Sequence, residues 1–127
     1  KVTDMDSMFS GCSGLTNLDV SGFKTSDVTN MYSMFHSCSG LTNLDVSGWD
    51  TSKVKNMGNI FNGCSGLTNL DVSGFKTSNV TIMNHIFAYC KSFNQDISNW
   101  DVSNVTDTRR MFYECPIEKK YKPKNTF

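Results

Sequence analysis

The segment CSGLTNLDVSG occupies residues 12–22 and recurs verbatim at 38–48 and 64–74. A fourth version, CKSFNQDISNW at 90–100, is one residue shorter, the gap falling between Phe93 and Asp96 where the others carry two leucines. Around this segment the rest of the chain keeps the same beat. Cys12, Cys38, Cys64 and Cys90 are each 26 residues apart and Cys115 follows 25 later, while Phe9, Phe35, Phe61, Phe87 and Phe112 hold one register. Self-similarity at a fixed period of this size marks an array of one supersecondary unit, too small to bury its apolar face alone and stabilised by stacking on its neighbours.

Within a unit, residues from Leu18 onward alternate apolar and polar, the period-two pattern of a half-buried strand. Leu18 and Val20 are expected to point inward, with Asn17, Asp19 and Ser21 facing solvent. The other half spaces its apolar residues three, three and one apart, as in Val28, Met31, Met34 and Phe35, which predicts a short α- or 3₁₀-helix. Ser26, Ser52, Ser78 and Ser103, or the Thr three residues later in most copies, are its N-cap candidates. Gly14, Gly40 and Gly66 stand where a helix ends in a left-handed residue. The expected fold is therefore an α/β solenoid of about 4.5 right-handed coils over residues 1–115, with a parallel sheet on one side and short helices on the other.

Charge excludes some functions. The 127 residues carry 12 Lys+Arg and 12 Asp+Glu, so no basic surface is available for a phosphate backbone, and nucleic acid is not an expected partner. That zero hides an asymmetry: residues 1–115 hold eight basic and eleven acidic groups, and 116–127 hold four Lys and one Glu. No apolar run approaches the roughly 18–20 residues of a membrane span, so this segment is not expected to insert in a bilayer.

Several repeated positions look like chemistry and have simpler readings. The five Cys lack the close pairing of zinc ligands, so buried, unbridged thiols are expected. The seven Met fall on two repeat positions shared with Ile60 and Ile86, which marks them as core. Asp19, Asp45, Asp71 and Asp96 form a row of carboxylates beside Asn17, Asn43, Asn69 and Gln95. Neighbours in such a row repel by about 0.5–1 kcal/mol unless offset, so each carboxylate is expected to accept from a backbone amide or from Ser21-type and Thr25-type hydroxyls of its own or the next coil. Their oxygens would also suit Ca²⁺, but the aspartate–glycine spacing of calcium loops is missing, and no cofactor or metal is expected. Asn79 and Asn104 begin glycosylation-like triplets at the helix-start position, where a capping or turn role is expected. His36 and His85 have no nucleophile or paired carboxylate in register, so no catalytic residue is expected.

Leu41-x-x-Leu44-x-Val46 is similar to the strand signature of leucine-rich repeats, and Met34-Phe35-x-x-Cys38-x-x-Leu41 to the Phe-x-x-Cys variant of BspA-like bacterial surface proteins. With the stretches at 49–61, the unit resembles the 26-residue repeat of that group, also filed as a domain of unknown function in bacterial surface proteins and lipoproteins. Where leucine-rich repeats carry an asparagine after the strand, this chain has Phe23, Trp49, Phe75 and Trp100, and an aromatic spine is expected in its place. The resemblance implies a non-catalytic adhesion module, bacterial, cell-surface or secreted, that binds a protein or glycan. It also implies recognition on the strand face, which makes Asn17, Asp19, Asn43, Asp45, Asn69, Asp71 and Asp96 the binding candidates. A different function is a structural spacer or end-to-end self-associating element, since Lys1 enters mid-repeat at the position of Asp27. Residues 116–127 break the period; Pro116 is expected to stop the last helix, and Ile117, Tyr121 and Phe127 to cap the core. The abrupt start reads as part of a longer protein whose preceding segment would hold any signal or anchor.

Overall fold

A computed structural model describes residues 1–124; the expected cap residue Phe127 lies outside them. Successive copies lie on one another in register, joined by parallel single-residue bridges that run Asp4 to Asn30 to Asn56 to Ile82 to Asp107. Beyond this row every second backbone N–H of one copy donates to a carbonyl of the next. Met31, Ser33, Phe35 and Ser37 donate to Asn56, Gly58, Ile60 and Asn62 at 3.0, 2.9, 2.9 and 2.7 Å. The intervening amides close tight turns within their own copy: Met34 to Met31 at 3.2 Å, His36 to Ser33 at 3.1 Å and Cys38 to Phe35 at 3.1 Å. The buried backbone of this half is thus satisfied alternately by the neighbour and by the local turn.

The expected α/β solenoid, with helices on one side and a sheet on the other, is not formed. Among the described residues there is no α-helix, and the one 3₁₀ turn, Lys119–Tyr121, lies in the C-terminal segment. The sheet is a single parallel pair, β1 (Asn43–Leu44) and β2 (Asn69–Leu70), with Asn43 opposite Asn69. The rest is turn and irregular chain. Two backbone positions in every copy explain why no helix forms. Ser7, Ser33, Asn59, His85 and Arg110 share one position and have φ of 57, 56, 57, 58 and 51°. Gly11, Ser37, Gly63, Tyr89 and Glu114 share another, four residues later, at 79, 62, 82, 59 and 55°. Two left-handed residues within five end a helix before its first i→i−4 bond repeats. The Ser and Thr candidates therefore cap nothing; Ser52 and Ser103 instead donate their amides to Asp50 and Asp101 at 3.0 and 2.9 Å.

Gly14, Gly40 and Gly66 are not the left-handed residues either, since none of them has positive φ; that role falls to Gly11 and Gly63. Gly40 is required for a different reason. A Cβ there would stand 2.5 Å from the Ser13 carbonyl oxygen and 2.8 Å from that of Leu15, so a side chain would push two copies apart.

The apolar rows meet inside the stack. Phe9, Phe35, Phe61, Phe87 and Phe112 form a column with centroids 5.6, 5.8, 5.6 and 6.1 Å apart and rings within 10° of parallel. A second aromatic row follows the strand segment, with Phe23 on Trp49 at 6.2 Å and Phe75 on Trp100 at 6.1 Å. Each indole N–H is satisfied by the preceding copy, Trp49 donating to the Val20 carbonyl at 3.2 Å and Trp100 to that of Val72 at 3.0 Å. Thr25, Thr51 and Thr77, expected as partners of the carboxylate row, are instead buried and form a hydroxyl row that bonds the backbone of neighbouring copies. Thr51 Oγ1 donates to the Lys76 carbonyl and Thr77 Oγ1 to that of Asp101, at 3.2 and 2.8 Å. In the shortened fourth copy Phe93 replaces a leucine and lies flat on Phe87 at 4.2 Å.

The five cysteines are free. Four of them bridge copies through the thiol hydrogen: Cys38, Cys64 and Cys90 donate to the carbonyls of Phe9, Phe35 and Phe61 at 3.1, 3.1 and 3.0 Å, and Cys115 donates to that of Phe93 at 3.6 Å. Burial pushes the Cys64 thiol up to about 12 and raises Cys90 as well. Since the thiolate is the reactive species, these buried thiols are expected to ignore dithionitrobenzoate in the native protein. The half-buried Cys12 and Cys115 react first, and full titration needs denaturant; native-state reaction of all five at one rate would contradict this placement.

The C-terminal segment lies against the fourth and fifth copies. Ile117 is buried in the core, the Ile97 amide donates to the Tyr121 carbonyl at 3.0 Å, and the Lys122 ammonium sits 5.2 Å over the Phe112 ring.

Candidate functional site

The alternation of the strand segment fixes what it offers to solvent. Leu44, Val46, Leu70 and Val72 are buried, so Asn43, Asp45, Asn69 and Asp71 point outward. Parallel pairing of β1 and β2 then sets like on like: Asn69 Nδ2 donates to Asn43 Oδ1 at 2.5 Å, an amide ladder on the exposed face. The fourth copy lacks the leucine that would continue the row, and the face opens there into a groove of about 520 Å³. Leu44 and Leu70 lie along its floor, with Asn43, Asp45, Asn69, Asp71, Gln95 and Asp96 around it. A smaller hollow shares Ser73 and Asp96 with it and extends to Ser98 and Asn99.

Five of the seven binding candidates therefore line one groove: Asn43, Asp45, Asn69, Asp71 and Asp96. Asn17 and Asp19 do not line it. They belong to the first copy, whose strand segment is not paired with that of the second, and Leu18 there is only half-buried. Ser73 joins the lining as the turn partner of Asp71. The signal that places the groove is the one-residue deletion in the fourth copy, which interrupts the leucine row.

The carboxylate row is held by local turns. Asp45 Oδ1 accepts from the Ser47 amide at 3.0 Å and from the Ser47 hydroxyl at 2.6 Å, and Asp71 and Ser73 repeat the same pair of distances. Asp19 with Ser21 and Asp96 with Ser98 do likewise. These bonds hold all four carboxyls below the usual range, the hydroxyl first and the amide second, while the neighbouring carboxylate pushes Asp45 and Asp71 the other way by less. Repulsion along the row is thus offset by bonds to the ionised form. In each Asp both turn bonds fall on Oδ1, so the turn does not use the second carboxylate oxygen. The surface offers carboxylate oxygens and side-chain amides over two leucines, a set suited to a ligand rich in hydroxyl or amide donors.

A depressed folded-state pKa contributes stability that is present above the unfolded value, about 3.9 for Asp, and is lost as pH falls through the lower folded value. The protein is therefore expected to hold its urea midpoint from pH 7 to about pH 5 and to lose it progressively below about pH 4. Ser73→Ala removes the main cause at Asp71, so the variant is less stable at pH 7 and loses less on acidification. Urea titrations at both ends of that range check the sign; a Ser73→Ala midpoint parallel to that of the parent at every pH would refute it.

At the position of the glycosylation-like triplets the side chains stitch copies together. Asn79 Nδ2 donates to the Ser52 carbonyl at 2.8 Å and Asn104 Nδ2 to that of Ser78 at 2.6 Å, while Lys53 at the same position pairs with Asp27 at 3.1 Å. Among the described residues no group of three or more His, Cys, Asp or Glu is placed to hold a metal ion, and no helix is long and apolar enough to cross a membrane.

No curated protein and no solved structure matches the chain. The family described as Mycoplasma protein of unknown function, DUF285, matches residues 1–69 and again residues 41–118, and since those spans together cover most of the chain, the protein belongs to that family.

Proposed function

We propose that this chain is a BspA-like, non-catalytic recognition module of a bacterial surface or secreted protein, and that it binds a protein or glycan through the strand-face groove. The observation that carries the reading is the convergence of Asn43, Asp45, Asn69, Asp71, Gln95 and Asp96 around one concave surface with an apolar floor. Its polar groups belong to three successive copies, so a ligand spanning the groove meets the same amide and carboxylate two or three times.

The test is a screen of glycans and host extracellular proteins, followed by variants that spare the turns. Asp71→Asn keeps an acceptor for Ser73 and removes the charge; Gln95→Ala removes an exposed amide that the fold does not use. Each is expected to weaken a captured ligand about tenfold while leaving the melting temperature within about 2 °C. Retention of full affinity in both variants, or an empty screen, would sink the proposal.

The alternative, a spacer or self-associating element, draws on apolar exposure in the first copy, where Val2 is 50% and Met8 45% exposed. Light scattering separates the two: a mass that rises with concentration favours self-association, and a constant single-chain mass removes it.

A further inference from the structure

We propose that Tyr89, Tyr113 and Arg110 form a second binding surface, sharing no residue with the groove, that takes an acidic sugar chain. The first observation is conformational. The two left-handed positions of the first three copies hold Ser7, Ser33 and Asn59, and Gly11, Ser37 and Gly63, all small or amide side chains that tolerate that backbone. The last two copies place His85 and Arg110 at the first position and Tyr89 and Glu114 at the second, at φ of 58, 51, 59 and 55°. Bulky side chains are strained there, and the first three copies show that the turn does not require them.

The second observation is what those side chains build. The Tyr89 and Tyr113 rings meet edge to face at 5.4 Å and are 45% and 41% exposed. The Arg110 guanidinium lies 4.8 Å over the Tyr113 ring, and the Lys91 ammonium 5.8 Å over that of Tyr89. Lys91 is paired with Glu114 at 2.8 Å and Arg109 with Asp107 at 2.9 Å. Arg110 has no carboxylate partner among the described residues. A guanidinium without a carboxylate partner, set beside two part-exposed tyrosine rings, suits an anion that also has an apolar face. A uronate or sulfated pyranose has both: its C–H face stacks on tyrosine and its carboxylate or sulfate is held bidentately. An acidic peptide fits less well, because the backbone between the rings is already paired, Tyr89 N–H with the Tyr113 carbonyl at 2.8 Å.

The experiment is calorimetric titration of the full chain with octasaccharides of hyaluronan, which carries carboxylates alone, and of heparin, which carries sulfates too. Maltooctaose and a poly-glutamate peptide are the controls. Saturable binding of either acidic octasaccharide is expected, weakened about tenfold or more by Arg110→Gln and by Tyr89→Gly and unchanged by Gln95→Ala. Tyr89→Gly is also expected to raise the melting temperature, since glycine relieves the strain at that φ, and a residue kept only for stability would not behave so. No binding of either acidic octasaccharide at millimolar concentration overturns the proposal. So does binding indifferent to both variants, or poly-glutamate or maltooctaose binding as tightly.

Discussion

Phe61→Ala is expected to cost about 4 kcal/mol and to lower the melting temperature by about 15 °C. Phe61 is fully buried, with Phe35 5.8 Å away on one side and Phe87 5.6 Å on the other, both rings within 8° of parallel. Truncation removes two ring contacts and leaves a void that neither neighbour can fill, because each is itself held at its own level by backbone bonds to the next copy. Those bonds run through Phe61 too, whose amide donates to the Ile86 carbonyl at 3.1 Å. Phe112→Ala, at the half-buried end of the column, is the internal control and is expected to cost about half as much. Calorimetry of the three proteins checks the order; a loss below about 1 kcal/mol for Phe61→Ala would mean that the column does not hold the copies together.

Gly40→Ala is the second large effect, about 3 kcal/mol, from the smallest possible side chain. The new methyl would meet two carbonyl oxygens of the preceding copy, those of Ser13 and Leu15, and backbone cannot swing aside as a side-chain end can. Gly14, at the same repeat position in the first copy, has nothing within 4 Å of where its Cβ would be, so Gly14→Ala is expected to be nearly neutral. The fourth copy shows what relief requires: Ser92 stands there, in the shortened segment, and its hydroxyl donates to the Ser65 carbonyl at 2.9 Å. Equal melting temperatures for Gly40→Ala and Gly14→Ala would show that the copies are not in such close contact.

Much of this arrangement is legible in the residues. Verbatim repetition makes equivalent positions equivalent in space, so the Phe column, the second aromatic row and the buried thiols follow from spacing alone. The alternation of Leu and Val with Asn, Asp and Ser also reads directly as inside and outside. Helices do not follow, because apolar residues three, three and one apart serve a helix and a run of tight turns equally well. The discriminating signal is quieter: Ser, Asn or Gly at two positions four residues apart in each of the first three copies, the residue types that accept a left-handed backbone. In the last two copies His, Tyr, Arg and Glu mask even that signal. The sheet is likewise overestimated from pattern, since strand-like alternation over residues 15–21 yields two-residue strands in only two copies, and the backbone ladder between copies lies in the turn-built half. For the groove, the exposed face could be named from alternation, but its position in copies two to four depends on a missing residue rather than on a present one.

The most direct measurement for the groove is nuclear magnetic resonance of the side-chain amides of Asn43, Asn69 and Gln95 during titration with a ligand captured in the screen. The three are the groove's own amide groups, and their signals are separate from the backbone and from the Tyr89 and Tyr113 surface. Binding through the strand face predicts saturable shifts of all three at one common dissociation constant. Saturation of the protein with those three signals unmoved would contradict it.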